Sequence, residues 1–214
     1  MKVLVAAITF LFFFTSCAQT QRKPVSIPLG SEKNKPSNEA VAYFAEGCFW
    51  HSEIVFQSLE GVRDAVSGYA GGSDKKPGYE SVSTGSTGHA ETVAVYYDPK
   101  KISYATLVDA FFASQDPTEL NRQGNDEGTQ YRSAAFYTNN NEKQIVEEVI
   151  QKLTASKKYE DKIVTELVPF TKFYPAEEYH QEYISHNPDN SYVQHVSIPD
   201  FIKFKNTFKG NFKK

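Results

Sequence analysis

Hydrophobic positions along this chain switch repeatedly between the strand period and the helix period. Ala40–Glu46 is short, apolar and followed by glycine, which suits a buried strand. Phe49, Trp50, Glu53, Phe56 and Leu59 stand at three- and four-residue spacings and predict a helix over Phe49–Leu59. Val62–Tyr69 reads as a second strand. Ala70–His89 is rich in Gly, Ser and Thr, so it predicts a long loop with at most a short helix around Tyr79–Ser83. Loops of that length are usually functional or disordered. Glu91–Tyr97 is β-branched and aromatic and closes with Asp98-Pro99, the pattern of a strand.

Ser103 can cap a helix whose apolar stripe is Tyr104, Leu107, Val108 and Phe111. Gln115–Arg132 predicts a second long polar loop, and Ser133–Thr138 a strand. Asn141 with Gln144 resembles a capping box, ahead of the stripe Ile145, Val146, Val149, Ile150 and Leu153. Ile163–Val168 predicts a last strand, Ala176–Ser185 a helix, and Ile198–Phe208 a closing helix or an extended tail. Helices interleave with strands, yet the sheet is expected to be mixed, because the short turns are too few to fix every crossover. The class is therefore α+β: an α/β two-layer sandwich with a mixed sheet and long loops.

The start of the chain breaks this pattern. Lys2 precedes the apolar run Val3–Phe14, which is too short to span a bilayer and has the shape of a signal peptide over residues 1–16. Thr15 and Ser16 lead into Cys17, and small residues before a cysteine at that place resemble a bacterial lipoprotein cleavage site. The resemblance implies acylation of Cys17 and a place in the cell envelope, periplasm-facing or at the outer membrane. Membrane contact would then come through the lipid anchor alone. Residues 17–39 carry three prolines and no apolar period, and read as a tether reaching roughly 25 Å. Residues 40–214 form the single globular domain, expected to be monomeric.

Composition narrows the function. The 214 residues are 40% apolar and 23% charged with a net charge of −3, which suits a folded domain and not a nucleic-acid binder needing a basic footprint. Two cysteines cannot make a disulfide framework. The five histidines are scattered without metal-ligand spacing, so no metal site is expected.

Cys48 is where chemistry is expected. It joins the first strand to the first helix, and a thiol at a helix N-terminus faces unsatisfied N–H groups that favour the thiolate. With Cys17 acylated, Cys48 is the only remaining thiol. The aromatics beside it could wall a pocket.

The motif Gly47-Cys48-Phe49-Trp50, with Glu53 behind it, resembles the active-site segment of the A-type peptide methionine sulfoxide reductases. The likeness continues through Gly68-Tyr69-Ala70-Gly71-Gly72, Tyr79-Glu80-Ser81-Val82, Gly88-His89-Ala90-Glu91 and Tyr97-Asp98-Pro99. It runs on through Arg122–Ser133, Phe173-Tyr174-Pro175-Ala176-Glu177 and Tyr179-His180-Gln181. The resemblance implies a ferredoxin-like core and reduction of methionine S-sulfoxide, free or in proteins, to methionine.

A sulfoxide has a tetrahedral sulfur, a polar oxygen and a methyl group. Its reduction by a thiol needs a nucleophile, an acid, donors to the oxygen and an apolar recess. Cys48 is the expected nucleophile. The resemblance implies Glu91 as the acid, in its neutral form, Tyr79 and Tyr131 as donors to the oxygen, and Phe49 with Trp50 as the methyl recess. It implies Asp126 as a group holding substrate or water. The product is methionine plus a sulfenic acid on Cys48.

Two positions depart from the family pattern. His51 stands where many members carry glycine and reads as a surface helix residue, or else as one that touches substrate or tunes Cys48. Ser191–Lys214 lacks the recycling cysteine often found near the C-terminus. A one-cysteine enzyme is therefore expected, with no bound cofactor, whose sulfenic acid meets an external thiol reductant, thioredoxin-like or other. Rival readings are a Cys–His acyl hydrolase using His89 or His180, and a binding module without catalysis.

Overall fold

The computed structural model describes residues 38–213. The signal peptide, Cys17 and most of the proposed tether lie outside them. In chain order the elements are β1 Ala40–Glu46, α1 Phe49–Gln57, β2 Val62–Ala70, α2 Tyr79–Val82, β3 Ala90–Tyr97 and α3 Tyr104–Ser114. Then come β4 Arg122–Gln123, β5 Asp126–Glu127, β6 Ser133–Tyr137, α4 Asn140–Ala155, β7 Glu166–Pro169, β8 Phe173–Pro175, α5 Tyr183–His186 and α6 Ile198–Thr207.

The main sheet has the order β7-β6-β1-β3-β2-β8. Only β6–β7 is a parallel pair; the other neighbours are antiparallel. Within it, β1, α1, β2, β3, α3 and β6 make the ferredoxin-like core, with β6, β1, β3 and β2 adjacent in that order. The sheet is mixed, as the sequence pattern predicts.

Alternation sets the two faces. Ala42 and Phe44 of β1 and Val93 and Val95 of β3 point to the helices, where they meet Phe56, Leu107 and Phe111. Ala45, Ala70, Ala90 and Ala134 point to the other face, a thin cluster that Phe136, Tyr43 and Phe170 cover. Glu91 shares the odd-numbered, helix-facing side of β3, so its carboxyl enters the layer between sheet and α1. A period-2 strand can send it nowhere else.

Several sequence expectations need correction. The cap of α4 is Asn139, not Asn141: its side chain accepts from the Glu142 N–H at 3.0 Å, and Glu142 accepts from the Thr138 N–H in return. The last predicted strand starts late, at Glu166, because the Val164 N–H donates to the Pro117 carbonyl instead of a ladder. Ala176–Ser185 is not one helix. A 3-10 turn over Glu178–His180 is cut off from α5 at Glu182, which sits at φ +50° and donates its N–H to Glu53 Oε1 at 2.7 Å. The polar loop Gln115–Arg132 contains the β4–β5 hairpin and a 3-10 turn over Thr129–Tyr131. Two elements had no sequence signal: β8, and a π-helical turn over Val193–Ser197 that leads into α6.

Candidate active site

Cys48 is placed by a forced turn. Gly47 lies at φ +98°, and a Cβ there would meet Gln123 Cβ at 2.7 Å, so only glycine lets β1 turn into α1 against β4. Cys48 is the N-cap residue of α1, with extended backbone angles and no side-chain cap bond. Its thiol makes no cap bond to the helix and lines the pocket described next.

A pocket of about 280 Å³ opens over it, lined by Cys48, Phe49, Trp50, Tyr79, Glu91, Asp126 and Tyr131, together with Asn190 and Tyr192. Every described residue that the sequence pointed to as a site residue therefore meets here. They come from β1–α1, α2, β3, β5 and the turn before β6.

Glu91 is 2% exposed, and its Oε2 accepts the Phe49 N–H at 3.0 Å. Burial, with Asp126 nearby, pushes its pKa up to about 8 against the pull of that bond. The carboxyl is thus neutral at pH 7 and able to give a proton. Tyr79 and Tyr131 keep their phenolic protons, since burial and the acids around them raise both pKa values.

The Cys48 thiol does not follow the helix-terminus expectation. Burial and the neighbouring Glu91 and Asp126 raise its pKa well above the ordinary thiol value. The backbone N–H of Trp50 and the Tyr192 hydroxyl pull the other way and do not prevail. The dipole of α1 is present, but desolvation beside two acids is the larger effect, so the resting group is a thiol.

Sequence reasoning missed the segment that closes the pocket. Tyr192 donates its hydroxyl proton to Asp126 Oδ2 and reaches the Cys48 sulfur. Asn190 holds the segment by accepting the Tyr192 N–H at 2.9 Å and donating to Tyr183. Tyr183 stacks on Trp50 with ring centroids 3.7 Å apart. The available signal was an aromatic residue directly after the polar run Asn187-Pro188-Asp189-Asn190-Ser191.

The matched but unassigned residues of Ala176–Gln181 also have positions. Glu177 accepts the Tyr79 N–H and the Tyr69 hydroxyl, both at 3.0 Å, and so fixes α2 over the pocket. Gln181 exchanges two bonds with the backbone of Ser67 and imitates a strand partner for β2. His180 accepts the Trp50 indole N–H on Nδ1 at 3.1 Å, and burial lowers its pKa to about 4.

The histidines argue against the hydrolase alternative. His89 is engaged on both ring nitrogens, by the Gly72 N–H and the Asp74 carbonyl. His180 Nδ1 serves Trp50, and neither ring lines the pocket. His51 corrects the sequence in another way. It belongs to the buried face of α1 and not to the surface.

Residues 40–212 match the family model described as "Peptide methionine sulfoxide reductase". The chain belongs to this family. A "Peptide methionine sulfoxide reductase MsrA 1" from Rhodopirellula baltica is 47% identical over 191 residues, covering 87% of this chain and 98% of that one. Mxr1 from Saccharomyces cerevisiae, crystallised in reduced form, superposes with a TM-score of 0.68 at 35% identity, over 73% of this chain and 90% of that chain. Mxr1 in complex with Trx2 superposes with a TM-score of 0.50 at 27% identity, over 70% and 87% of the two chains. Membership in the methionine sulfoxide reductase family makes this chain an oxidoreductase and accounts for a pocket built around one thiol. Among the described residues, Cys48 is a free cysteine and no group of side chains is placed to hold a metal ion.

Proposed function

We propose that this protein reduces methionine S-sulfoxide, free or in oxidised proteins, through a sulfenic acid on Cys48. The observation that supports it best is the pairing of a protonated, buried Glu91 with the phenols of Tyr79 and Tyr131 around a single thiol.

The sulfoxide oxygen accepts from the two phenols and from Glu91, while its methyl group lies against Phe49 and Trp50. Glu91 passes its proton to the oxygen, and Cys48 attacks the sulfur. The thiol proton moves to the Glu91 carboxylate as the bond between the Cys48 and methionine sulfurs forms, and the hydroxyl then passes from the methionine sulfur to the Cys48 sulfur as that bond breaks. Cys48 carries S–OH, and methionine leaves. Atoms and protons balance, because Glu91 ends neutral as it began. Asp126 and Tyr192 hold each other at the edge of the pocket and keep the thiol oriented. An external thiol, thioredoxin-like or other, then reduces the sulfenic acid.

The test is turnover with dithiothreitol of the separate S and R epimers. The S epimer alone should be reduced, and Cys48→Ser should lower the rate at least about 10³-fold. Turnover of neither epimer by folded wild-type protein would sink this reading. We also assign residues 1–16 to a lipoprotein-type signal and Cys17 to an envelope anchor carrying a monomeric domain. Incorporation of labelled palmitate, lost in Cys17→Ser, is the expected outcome.

A further inference from the structure

Cys48 is reached from two sides. Behind the pocket already described lies a larger cavity of about 440 Å³, walled by β1, α1, α3, the β4–β5 loop and α6. The two spaces share only Cys48, Asp126 and Tyr192, so the Tyr192–Asp126 hydrogen bond is the partition between them.

The back cavity contains polar groups without partners. His51 is 9% exposed, and neither ring nitrogen completes a hydrogen bond, although the backbone of Ser114 and Ser197 lies close to the ring. Glu46 is 1% exposed; its Oε2 accepts from Ser114, and its Oε1 is unpartnered. Ser197 Oγ, also buried, is unpartnered. Buried polar groups are ordinarily hydrogen-bonded, so a cavity with several unpartnered ones is suited to receive something polar.

His51 stands one helical turn from Cys48, the spacing at which side chains on one face are neighbours. Burial lowers its pKa, although the backbone of Ser114 and Ser197 and the charge of Asp200 draw it partly back. The imidazole is therefore a free base at neutral pH.

Displacement at sulfur proceeds in line with the leaving group. The oxygen of the sulfenic acid remains where it was delivered, among Tyr79, Glu91 and Tyr131. A thiol attacking Cys48 must then come from the side away from them. We propose that the reducing thiol enters through the back cavity and gives its proton to His51 as it attacks the Cys48 sulfenic acid.

The step balances. The thiol loses its proton to His51, its sulfur bonds to Cys48, and the S–O bond breaks. The departing hydroxide takes a proton from Glu91 and leaves as water, and solvent returns the His51 proton to Glu91. A second thiol attacks the mixed disulfide, which restores the Cys48 thiol and leaves the reductant as a disulfide. The cavity is sized for a small thiol or for one projecting cysteine of a protein, and Lys203 and Asp200 at its α6 side offer both charge signs to the rest of the molecule.

This assignment rests on the sulfenic-acid reading above, and the experiment separates the two. Wild-type protein and His51→Gln are oxidised with one equivalent of the S-sulfoxide, and the methionine burst is counted. Reduction of the sulfenic acid is then followed with dithiothreitol, glutathione, thioredoxin and the 5-thio-2-nitrobenzoate anion, which arrives already deprotonated. The expected result in His51→Gln is a full burst, reduction by dithiothreitol and glutathione slowed about 10²-fold, and reduction by the nitrobenzoate anion changed by less than about threefold. A comparable loss with thioredoxin says that protein cysteines share the entry; no loss with it says that only small thiols do. Across a series of thiols at pH 7, the rate should fall with rising thiol pKa less steeply in wild type than in His51→Gln, where thiolate fraction and intrinsic nucleophilicity alone set it. Equal slowing with every reductant, no slowing, or the same slope for wild type and His51→Gln across the thiol series would overturn the assignment and leave the cavity to water. Absence of the burst in wild type would overturn the sulfenic-acid reading instead.

Discussion

Cys48 has Phe49, Trp50, Tyr79, Glu91 and Tyr131 on one side and Glu46, His51, Ser114 and Ser197 on the other. Each side contains a buried glutamate, and burial pushes both carboxyls up to about 8. Their partners differ. Glu91 accepts a backbone N–H at the head of α1 and faces two phenols, so its proton has a destination when a sulfoxide oxygen arrives. Glu46 accepts a serine hydroxyl and leaves one oxygen unpartnered, so its neutral form is a cost of the fold in the absence of a ligand. The same perturbed pKa thus marks a proton donor on one side and a gap in hydrogen bonding on the other. A raised pKa identifies a site only together with what surrounds it.

Replacing the front acid tests that comparison most severely. Glu91→Gln keeps the shape and the bond from Phe49 but has no proton to give. Methionine formation should fall about 10²- to 10³-fold, the range for removing a general acid. The wild-type rate should fall as pH rises through about 8, where Glu91 loses its proton, and that limb should vanish in the variant. A single-turnover pH profile checks both. An unchanged alkaline limb in Glu91→Gln would assign it to another group.

The back acid should betray itself in stability. The folded pKa of Glu46 lies near 8 and its ordinary value is 4.5, so folding favours the protonated form. Its contribution is fully present below about pH 4.5 and is lost as pH rises through about 8. Glu46→Gln should therefore unfold at higher denaturant than wild type at pH 8, by roughly 1–3 kcal/mol, with the advantage shrinking towards pH 5. Urea titrations at the two values measure it. Equal differences at both would mean that Glu46 is not desolvated as the fold places it.

The two sides also differ in how much of them the sequence reveals. The front pocket was legible because its residues sit in dense motifs, and because strand alternation puts Glu91 on the helix-facing side. The β1–α1–β2 unit and the cap at Ser103 follow from local pattern alone. The back cavity was hidden because Glu46 reads as a strand end and His51 as a surface helix position. It took α6 and α3 packing over α1 to bury them, and no local signal specifies that contact. β8 failed for a similar reason: three residues ending in proline pair with β2 only because Gln181 and Glu177 dock beside them. α5 is a single turn placed by stacking on Trp50, which leaves no periodic trace.

Tyr192 belongs to both sides, so its removal is the finest test. Tyr192→Phe keeps the ring against Trp50 and deletes the hydroxyl that reaches Asp126 and Cys48. Two consequences have opposite readouts. The Cys48 thiol loses a bond that favours its ionised form, so its pKa should rise further and methionine formation should slow a few-fold. The partition between the two spaces loses its closing hydrogen bond, so reduction of the sulfenic acid by bulky thiols should hold steady or quicken. Asp126, half-buried and left without its donor, should cost the fold about 1 kcal/mol, seen as a lower urea midpoint. Rapid-quench measurement of the methionine burst beside stopped-flow reduction of the sulfenic acid resolves the two steps. If both slow by the same factor, Tyr192 only holds the C-terminal segment in place, and the front and back of Cys48 are one space.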